Sequence, residues 1–218
     1  VTWGDGSAAN ASKVAPSLTS GVSQIFTTPD AFAALKDDGS VITWGNYGGD
    51  SSSVSADLSS GVVQITSNER SFAALKDDGS VVTWGDFAFG GNSSHDSAAL
   101  SSGVSQISAT GAVFAALKDD GSVIVWGHSS PDYGGDISSV SDQLMSGVSQ
   151  IFSNRHSFAA LKDDGSVITW GDSNNGGDSY SVSNELSSGV SQIFSTYKAF
   201  AALKDDGSVV TWGNPTDG

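Results

Sequence analysis

The amino-acid sequence predicts an all-β fold: a β-propeller of short three-stranded antiparallel blades. Three observations carry this. A gapless unit recurs five times, at 21–45, 61–85, 103–127, 147–171 and 189–213, and repeats of this period mark stacked modules. Every copy holds Lys-Asp-Asp-Gly-Ser between two apolar runs, a hairpin signal because glycine takes positive φ at little cost. The step from the opening glycine to the tryptophan is 23 residues in all five copies, whereas the step from tryptophan to the next opening glycine ranges from 17 to 21. Fixed length belongs to paired structure, where one inserted residue would turn side chains to the wrong face. Variable length belongs to surface loops.

Each unit offers three strands, seen most plainly in the last copy. Val190-Ser191-Gln192-Ile193-Phe194 is the first. Phe200-Ala201-Ala202-Leu203-Lys204 is the second; both its faces are apolar, so both should be covered, and the small alanines let a neighbouring sheet come close. Val209-Val210-Thr211-Trp212 is the third, rich in β-branched and aromatic residues. Asp205-Asp206-Gly207-Ser208 joins the last two, and the same turn occurs at Asp37, Asp77, Asp119 and Asp163.

Such sheets, repeated every 40–44 residues, stack radially as blades. The competing arrangement is a linear β-solenoid, but its strands are parallel and the Asp-Gly hairpin demands antiparallel pairing. The expected organisation is one domain over 1–218, with repeats starting near 21, 61, 103, 147 and 189 and a partial repeat over 1–20. Six Trp-Gly strands accompany five copies of the other two, so the chain begins mid-repeat at Val1-Thr2-Trp3-Gly4. A five-bladed ring, a six-bladed ring with an incomplete blade and a fragment of a longer array all remain open. An open propeller would expose apolar faces and strand edges, which leaves room for self-association.

Composition excludes several function classes. The 218 residues carry a formal charge of −15 with no cluster of Lys or Arg, which opposes a nucleic-acid partner. The absence of Cys removes disulfides, thiolate zinc sites and a Cys nucleophile. No apolar run approaches the roughly 18 residues of a membrane span, so no membrane insertion is expected. Six Trp and ten Phe argue against disorder despite the abundant Ser and Gly.

The string Gly-Val-x-Gln-Ile, followed by Phe-Ala-Ala-Leu-Lys-Asp-Asp-Gly-Ser-Val-x-x-Trp-Gly, resembles the repeat of the regulator of chromosome condensation superfamily. It is closest to the short-repeat bacterial branch, which includes secreted β-lactamase-inhibitor propellers with three-stranded blades. The resemblance covers almost the whole chain and implies a β-propeller, usually seven-bladed in that family. Two departures weaken any transfer of function. Where the family often has His before its Ala-Leu pair, this chain has Ala31, Ser71, Val113, Ser157 and Ala199, each just before Phe. The family's Gly-Gln-Leu-Gly is replaced by Gly-Gly-Asp-Ser, as at Gly48-Gly49-Asp50-Ser51. The nucleotide-exchange and chromatin roles of eukaryotic members find no matching residues.

Function on such a scaffold would sit in the variable loops 46–60, 86–102, 128–146 and 172–188, and in the incomplete 5–20. Within them Val14, Val54, Val140 and Val182 precede Leu18, Leu58, Leu144 and Leu186 by four, the spacing of one helical turn that staples a loop to a blade edge. The aromatics Tyr47, Phe87, Phe89, Tyr133, Tyr180 and Tyr197 vary in place from blade to blade and are the candidate partner-binding residues, since aromatic side chains dominate binding hot spots; loop side chains tucked onto the blade are the alternative. The regular Trp3, Trp44, Trp84, Trp126, Trp170 and Trp212 fit interblade packing better than sugar stacking. Asp172, Asn174 and Asp178 place oxygens at positions one, three and seven around a Gly turn, a calcium-type pattern. No EF-hand Glu follows, and Asn, Asp, Gly and Ser are also ordinary turn formers. The repeated Asp pairs read as turns rather than acid–base dyads. His95, His128 and His156 occupy different repeat positions, with no spacing that predicts a triad or zinc cluster.

The expected function is therefore a non-enzymatic protein-interaction or structural module, without a cofactor, in a bacterial surface or secreted protein. Its partner, protein or glycan, is unspecified. A protein inhibitor or lectin-like binder acting through the loop aromatics is the alternative.

Overall fold

The computed structural model describes residues 11–216. The repeated segments form five three-stranded antiparallel sheets, one per complete repeat. They are β1 (Val22–Thr27), β2 (Ala31–Lys36) and β3 (Val41–Gly45), then β4 (Val62–Ser67), β5 (Ser71–Lys76) and β6 (Val81–Gly85). The third set is β7 (Val104–Ala109), β8 (Val113–Lys118) and β9 (Val123–Gly127). The fourth is β10 (Val148–Ser153), β11 (Ser157–Lys162) and β12 (Val167–Gly171), and the fifth β13 (Val190–Ser195), β14 (Ala199–Lys204) and β15 (Val209–Gly213). In each sheet the repeat's second strand is central. The expected strands are all present, each within a residue or two of its sequence bounds. Val1–Gly4, the sixth Trp-Gly segment, lies outside the described residues. The chain divides into two compact units between Val104 and Ser105.

The hairpin is one residue longer than the two-residue type. Lys36 N–H donates to Ser40 O and Gly39 N–H to Lys36 O, with Gly39 at φ +75°, the pattern of a three-residue loop with glycine at its left-handed position. A Cβ on Gly39 would come within 2.8 Å of Gly61 N, because Val62 N–H of the next repeat donates to Gly39 O at 3.0 Å. Glycine is needed here for both conformation and contact. The Lys before each turn ties it to the preceding loop: Lys36, Lys76 and Lys162 Nζ donate to Ser17 O, Asp57 O and Gln143 O at 3.2, 3.0 and 3.1 Å. The second Asp of each turn accepts both from the Ser hydroxyl, at 2.6 Å in Asp38, and from the Ser backbone.

Side chains alternate along the central strand, and both faces are covered where a blade has a neighbour in its unit. Ala31, Ala33, Leu35 and Val41 of the first blade pack on Phe72, Ala74 and Trp84 of the second, with Leu58, Val62 and Ile65 filling the seam. The same set recurs between the third and fourth blades, where Val113, Ala115, Leu117 and Val123 meet Phe158, Ala160 and Trp170. It recurs again between the fourth and fifth, where Ala159 and Leu161 meet Phe200, Ala202 and Trp212. Each described Trp is buried and stacked on the Phe of its own blade, with ring centroids 5.0–5.4 Å apart. The tryptophans are packing residues, as their regularity predicts. Leu58, Leu100, Leu144 and Leu186 of the variable loops are also buried. Leu144 and Leu186 close a short turn onto Val140 O and Val182 O, and Leu186 O in turn accepts from Val167 N–H on the sheet edge.

The turn carboxylates give the fold a measurable pH dependence. Asp38, Asp78, Asp120, Asp164 and Asp206 all titrate below their ordinary value of 3.8, first because a Ser hydroxyl donates to each. A carboxylate whose folded pKa is depressed contributes stability that is present above its unfolded pKa and is lost as pH falls through the folded value. Replacing Ser40, Ser80, Ser122, Ser166 and Ser208 together by Ala should lower the melting temperature near neutral pH. The difference from the unsubstituted protein should narrow below pH 3.8, as thermal melts across that range would read.

Candidate functional site

The rim at one end of each blade is built from two connections. One joins the first and second strands; the other leaves the third strand after Trp-Gly. In the second connection a three-residue 3-10 turn begins on a capping oxygen and ends on a left-handed glycine. Asp86 caps Phe87–Phe89 before Gly90, Ser130 caps Pro131–Tyr133 before Gly134, and Asp172 caps Ser173–Asn175 before Gly176. The glycine is required by its neighbour: a Cβ on Gly176 would sit 2.7 Å from the Phe200 ring. This contact lets Gly134 O and Gly176 O each accept from the next blade's indole, Trp170 and Trp212 Nε1 at 3.1 Å. The first such loop is two residues shorter than its counterpart. There Tyr47 itself takes positive φ, and Trp84 Nε1 is buried with no partner among the described residues.

The two connections are bonded to each other. Asn68 Nδ2 donates to Phe89 O at 2.6 Å, Thr110 Oγ1 to Tyr133 O at 2.8 Å and Asn154 Nδ2 to Asn175 O at 2.8 Å. The residue before the glycine therefore occupies one fixed place on these three rims, filled by Phe89, Tyr133 and Asn175. The expectation that Phe89 and Tyr133 vary in place is corrected; Tyr47 shares their position before Gly-Gly in the sequence. Loops of unequal length before them hide a common Gly-Gly landmark: Tyr47-Gly48-Gly49, Phe89-Gly90-Gly91 and Tyr133-Gly134-Gly135.

Basic side chains join these aromatics. In the first unit the Arg70 guanidinium lies between Tyr47 and Phe89, 5.1 and 4.9 Å from the ring centroids, with Asp86 at 3.7 Å. In the second unit a row runs across three blades. His128 meets Tyr133 edge-on at 5.8 Å, Tyr133 stacks on His156 at 6.2 Å, and His156 meets Tyr197 edge-on at 5.7 Å. Arg155 and Lys198 lie over the Tyr197 ring at 5.5 and 5.9 Å. Both arginines of the chain and two of its three histidines thus stand on rims. Nothing in the sequence analysis anticipated His128 and His156 converging on Tyr133. The signal was present: Arg70, His156 and Lys198 all immediately precede the second strand of their repeat.

Phe87 and Tyr180 are exposed; Tyr180 stands in a later turn of its loop, beside Ser179, whose hydroxyl meets Thr169 Oγ1 at 3.0 Å. Two of the three candidate calcium ligands, Asp172 and Asp178, accept backbone N–H groups. Asp172 Oδ1 accepts from Asn174 N–H, Asp172 Oδ2 from Asn175 Nδ2, and Asp178 Oδ1 from Tyr180 N–H in a separate turn. Among the described residues, no three His, Cys, Asp or Glu side chains gather where they could hold a metal. What the rim offers is recognition chemistry: cations held against aromatic faces.

No family model and no curated protein matches the chain. Solved structures do. Human WBSCR16 matches with a TM-score of 0.56 at 21% identity over 88% of this chain and 61% of that one. Prp20p from Saccharomyces cerevisiae matches with a TM-score of 0.54 at 17% identity, over 88% and 57%. The CRINKLY WD40 ectodomain of the receptor kinase ACR4 from Arabidopsis thaliana matches with a TM-score of 0.52 at 16% identity, over 89% and 65%. Together with the five antiparallel sheets, this likeness establishes the β-propeller fold and agrees with the resemblance read from the repeat. The chain spans less than two thirds of the length of each of these structures.

Asp172→Ala removes the cap of the Ser173–Asn175 turn and should cost about 0.5–2 kcal/mol. The loss should be equal in millimolar calcium chloride and in chelator, as paired thermal melts would read.

Proposed function

We propose that this propeller is a non-enzymatic interaction module that binds a protein partner through its rim, in the setting of a bacterial surface or secreted protein. The observation that carries the reading is the gathering of Tyr133, Arg155, His156 and Tyr197 on one rim of an otherwise acidic chain. Tyr and Arg are the residue types that supply most of the energy at protein interfaces. Stacking limits their rotamer freedom, so less entropy is lost when a partner docks. The Tyr47–Arg70–Phe89 cluster repeats the chemistry in the first unit.

Carbohydrate binding or inhibition through the loop aromatics is the second reading, favoured by the exposure of Phe87 and Tyr180. Open ring faces suit a sugar, whereas the faces of Tyr133 and Tyr197 are approached by neighbouring side chains.

A bacterial protein array and a glycan array probed with the labelled chain separate the two. Tyr133→Ala or Arg155→Gln should weaken a protein hit by about 2 kcal/mol or more, roughly 30-fold in Kd, while Tyr180→Ala leaves it unchanged. Glycan binding that is lost in Phe87→Ala and Tyr180→Ala and kept in Tyr133→Ala would favour the second reading instead.

A further inference from the structure

The residue directly after each Trp-Gly strand decides how the following turn is held. In the second, fourth and fifth blades it offers a side-chain oxygen. Asp86 Oδ1 accepts from Ala88 N–H at 2.9 Å, Asp172 Oδ1 from Asn174 N–H at 2.8 Å and Asn214 Oδ1 from Thr216 N–H at 3.0 Å. In the third blade the same place is filled by His128, whose ring Nδ1 accepts from Ser130 N–H at 3.1 Å. An imidazole nitrogen there takes the part of a carboxylate or amide oxygen.

Ser130 is the pivot of the turn that carries Tyr133. Its carbonyl accepts from Tyr133 N–H at 3.3 Å and from Gly135 N–H at 3.2 Å, and its hydroxyl accepts from Asp132 N–H at 3.2 Å. The far side of the turn is anchored separately, by Thr110 Oγ1 on Tyr133 O and Trp170 Nε1 on Gly134 O. The His128 ring also meets the Tyr133 ring edge-on. One imidazole thus holds the start of the turn by its nitrogen and flanks the candidate binding aromatic by its ring. On its own turn the titratable neighbours are Asp132 and Tyr133; Asp136 is engaged with Ser138 N–H in the following turn. Across the Tyr133 ring stands His156, and Arg155 beside it is turned to Tyr197. The connection whose Ala112 O accepts from His128 N–H, formed by Thr110, Gly111 and Ala112, holds no titratable side chain.

A carboxylate or amide oxygen accepts throughout the physiological pH range. An imidazole accepts through Nδ1 only while it is neutral with its hydrogen on Nε2; the protonated ring donates from both nitrogens and accepts at neither. We infer that His128 makes this rim pH-gated: near neutral pH the turn is tied down and Tyr133 is held in place, and in mild acid Ser130 N–H is released and Tyr133 loses its fixed setting beside His128. The inference rests on the reading of Tyr133 as a binding residue and adds its regulation, a partner held near neutral pH being let go in acid. The second and fourth blades, capped by Asp86 and Asp172, lack the device.

Amide hydrogen exchange and NMR of the free protein, taken from about pH 8 to about pH 5, span the range in which histidine changes charge. No partner is needed, so the result stands whichever way the binding reading falls. Corrected for the intrinsic pH dependence of exchange, the protection of Ser130 N–H should fall by about 2- to 12-fold, the worth of one net hydrogen bond. The His128 ring should gain its second proton over the same interval, and Overhauser contacts between the His128 and Tyr133 rings should weaken in step. Ala88 N–H and Asn174 N–H, held by oxygens, should keep their protection. His128→Asp installs the acceptor used at Asp86 and Asp172 and should abolish the loss at Ser130, while His156→Gln should retain it. His128→Asn, the amide used at Asn214, replaces the Asp variant should that one fail to fold by circular dichroism. Constant protection of Ser130 N–H in the unsubstituted protein overturns the inference. So does a loss that persists in His128→Asp or vanishes in His156→Gln, and so do ring contacts that stay unchanged once Ser130 N–H is released.

Discussion

The close approach of an alanine face to a phenylalanine–tryptophan stack is the contact on which the rest of the structure depends. A central strand with Ala159 and Ala160 at zero exposure can be covered on both sides only if what projects from it is small. Interiors pack at crystal-like density, so the space the alanines vacate must be filled, and the next blade's stacked rings fill it. The stack is flat, and its partner face is nearly so. One pair of shapes, used repeatedly, sets the spacing between sheets.

That spacing governs the loops. Because the seams are alike, the turn at one end of each of the first four blades meets the start of the next repeat, and the Lys-Asp-Asp-Gly-Ser sequence is reused without change. Each residue has its own duty there: Lys reaches back to a loop carbonyl, the second Asp holds the Ser, and Gly admits the neighbouring backbone. At the rim the demand is narrower. The glycine carbonyl accepts from the next indole and the carbonyl before it from the neighbouring connection, so the backbone is held there while the side chains are free to differ in kind. The variable residues with candidate binding chemistry stand there.

The fold was legible because its determinants are local and repeated five times. Strands, hairpins, alanine contacts and tryptophan packing all followed from the unit. The rim was legible in part. Tyr133 and Tyr197 were singled out as candidate aromatics, but their basic neighbours Arg155 and Lys198 were not, and His156 was weighed only for a triad or zinc cluster. The meeting of His156 with Tyr133 depends on the next blade's position, a tertiary fact that single-repeat reasoning does not contain. Asp172 and Asp178 illustrate the opposite case: a ligand-like spacing whose oxygens cap backbone turns.

The claim that close alanine contact sets the seam is tested most directly by the urea midpoint of Ala159→Leu. Ala159 has no exposed surface and faces the Phe200–Trp212 stack. Added methyl groups there should overpack the seam and cost about 1–3 kcal/mol. An unchanged or raised midpoint would contradict the account, for it would mean that the faces leave room between them and that something else fixes the distance from blade to blade.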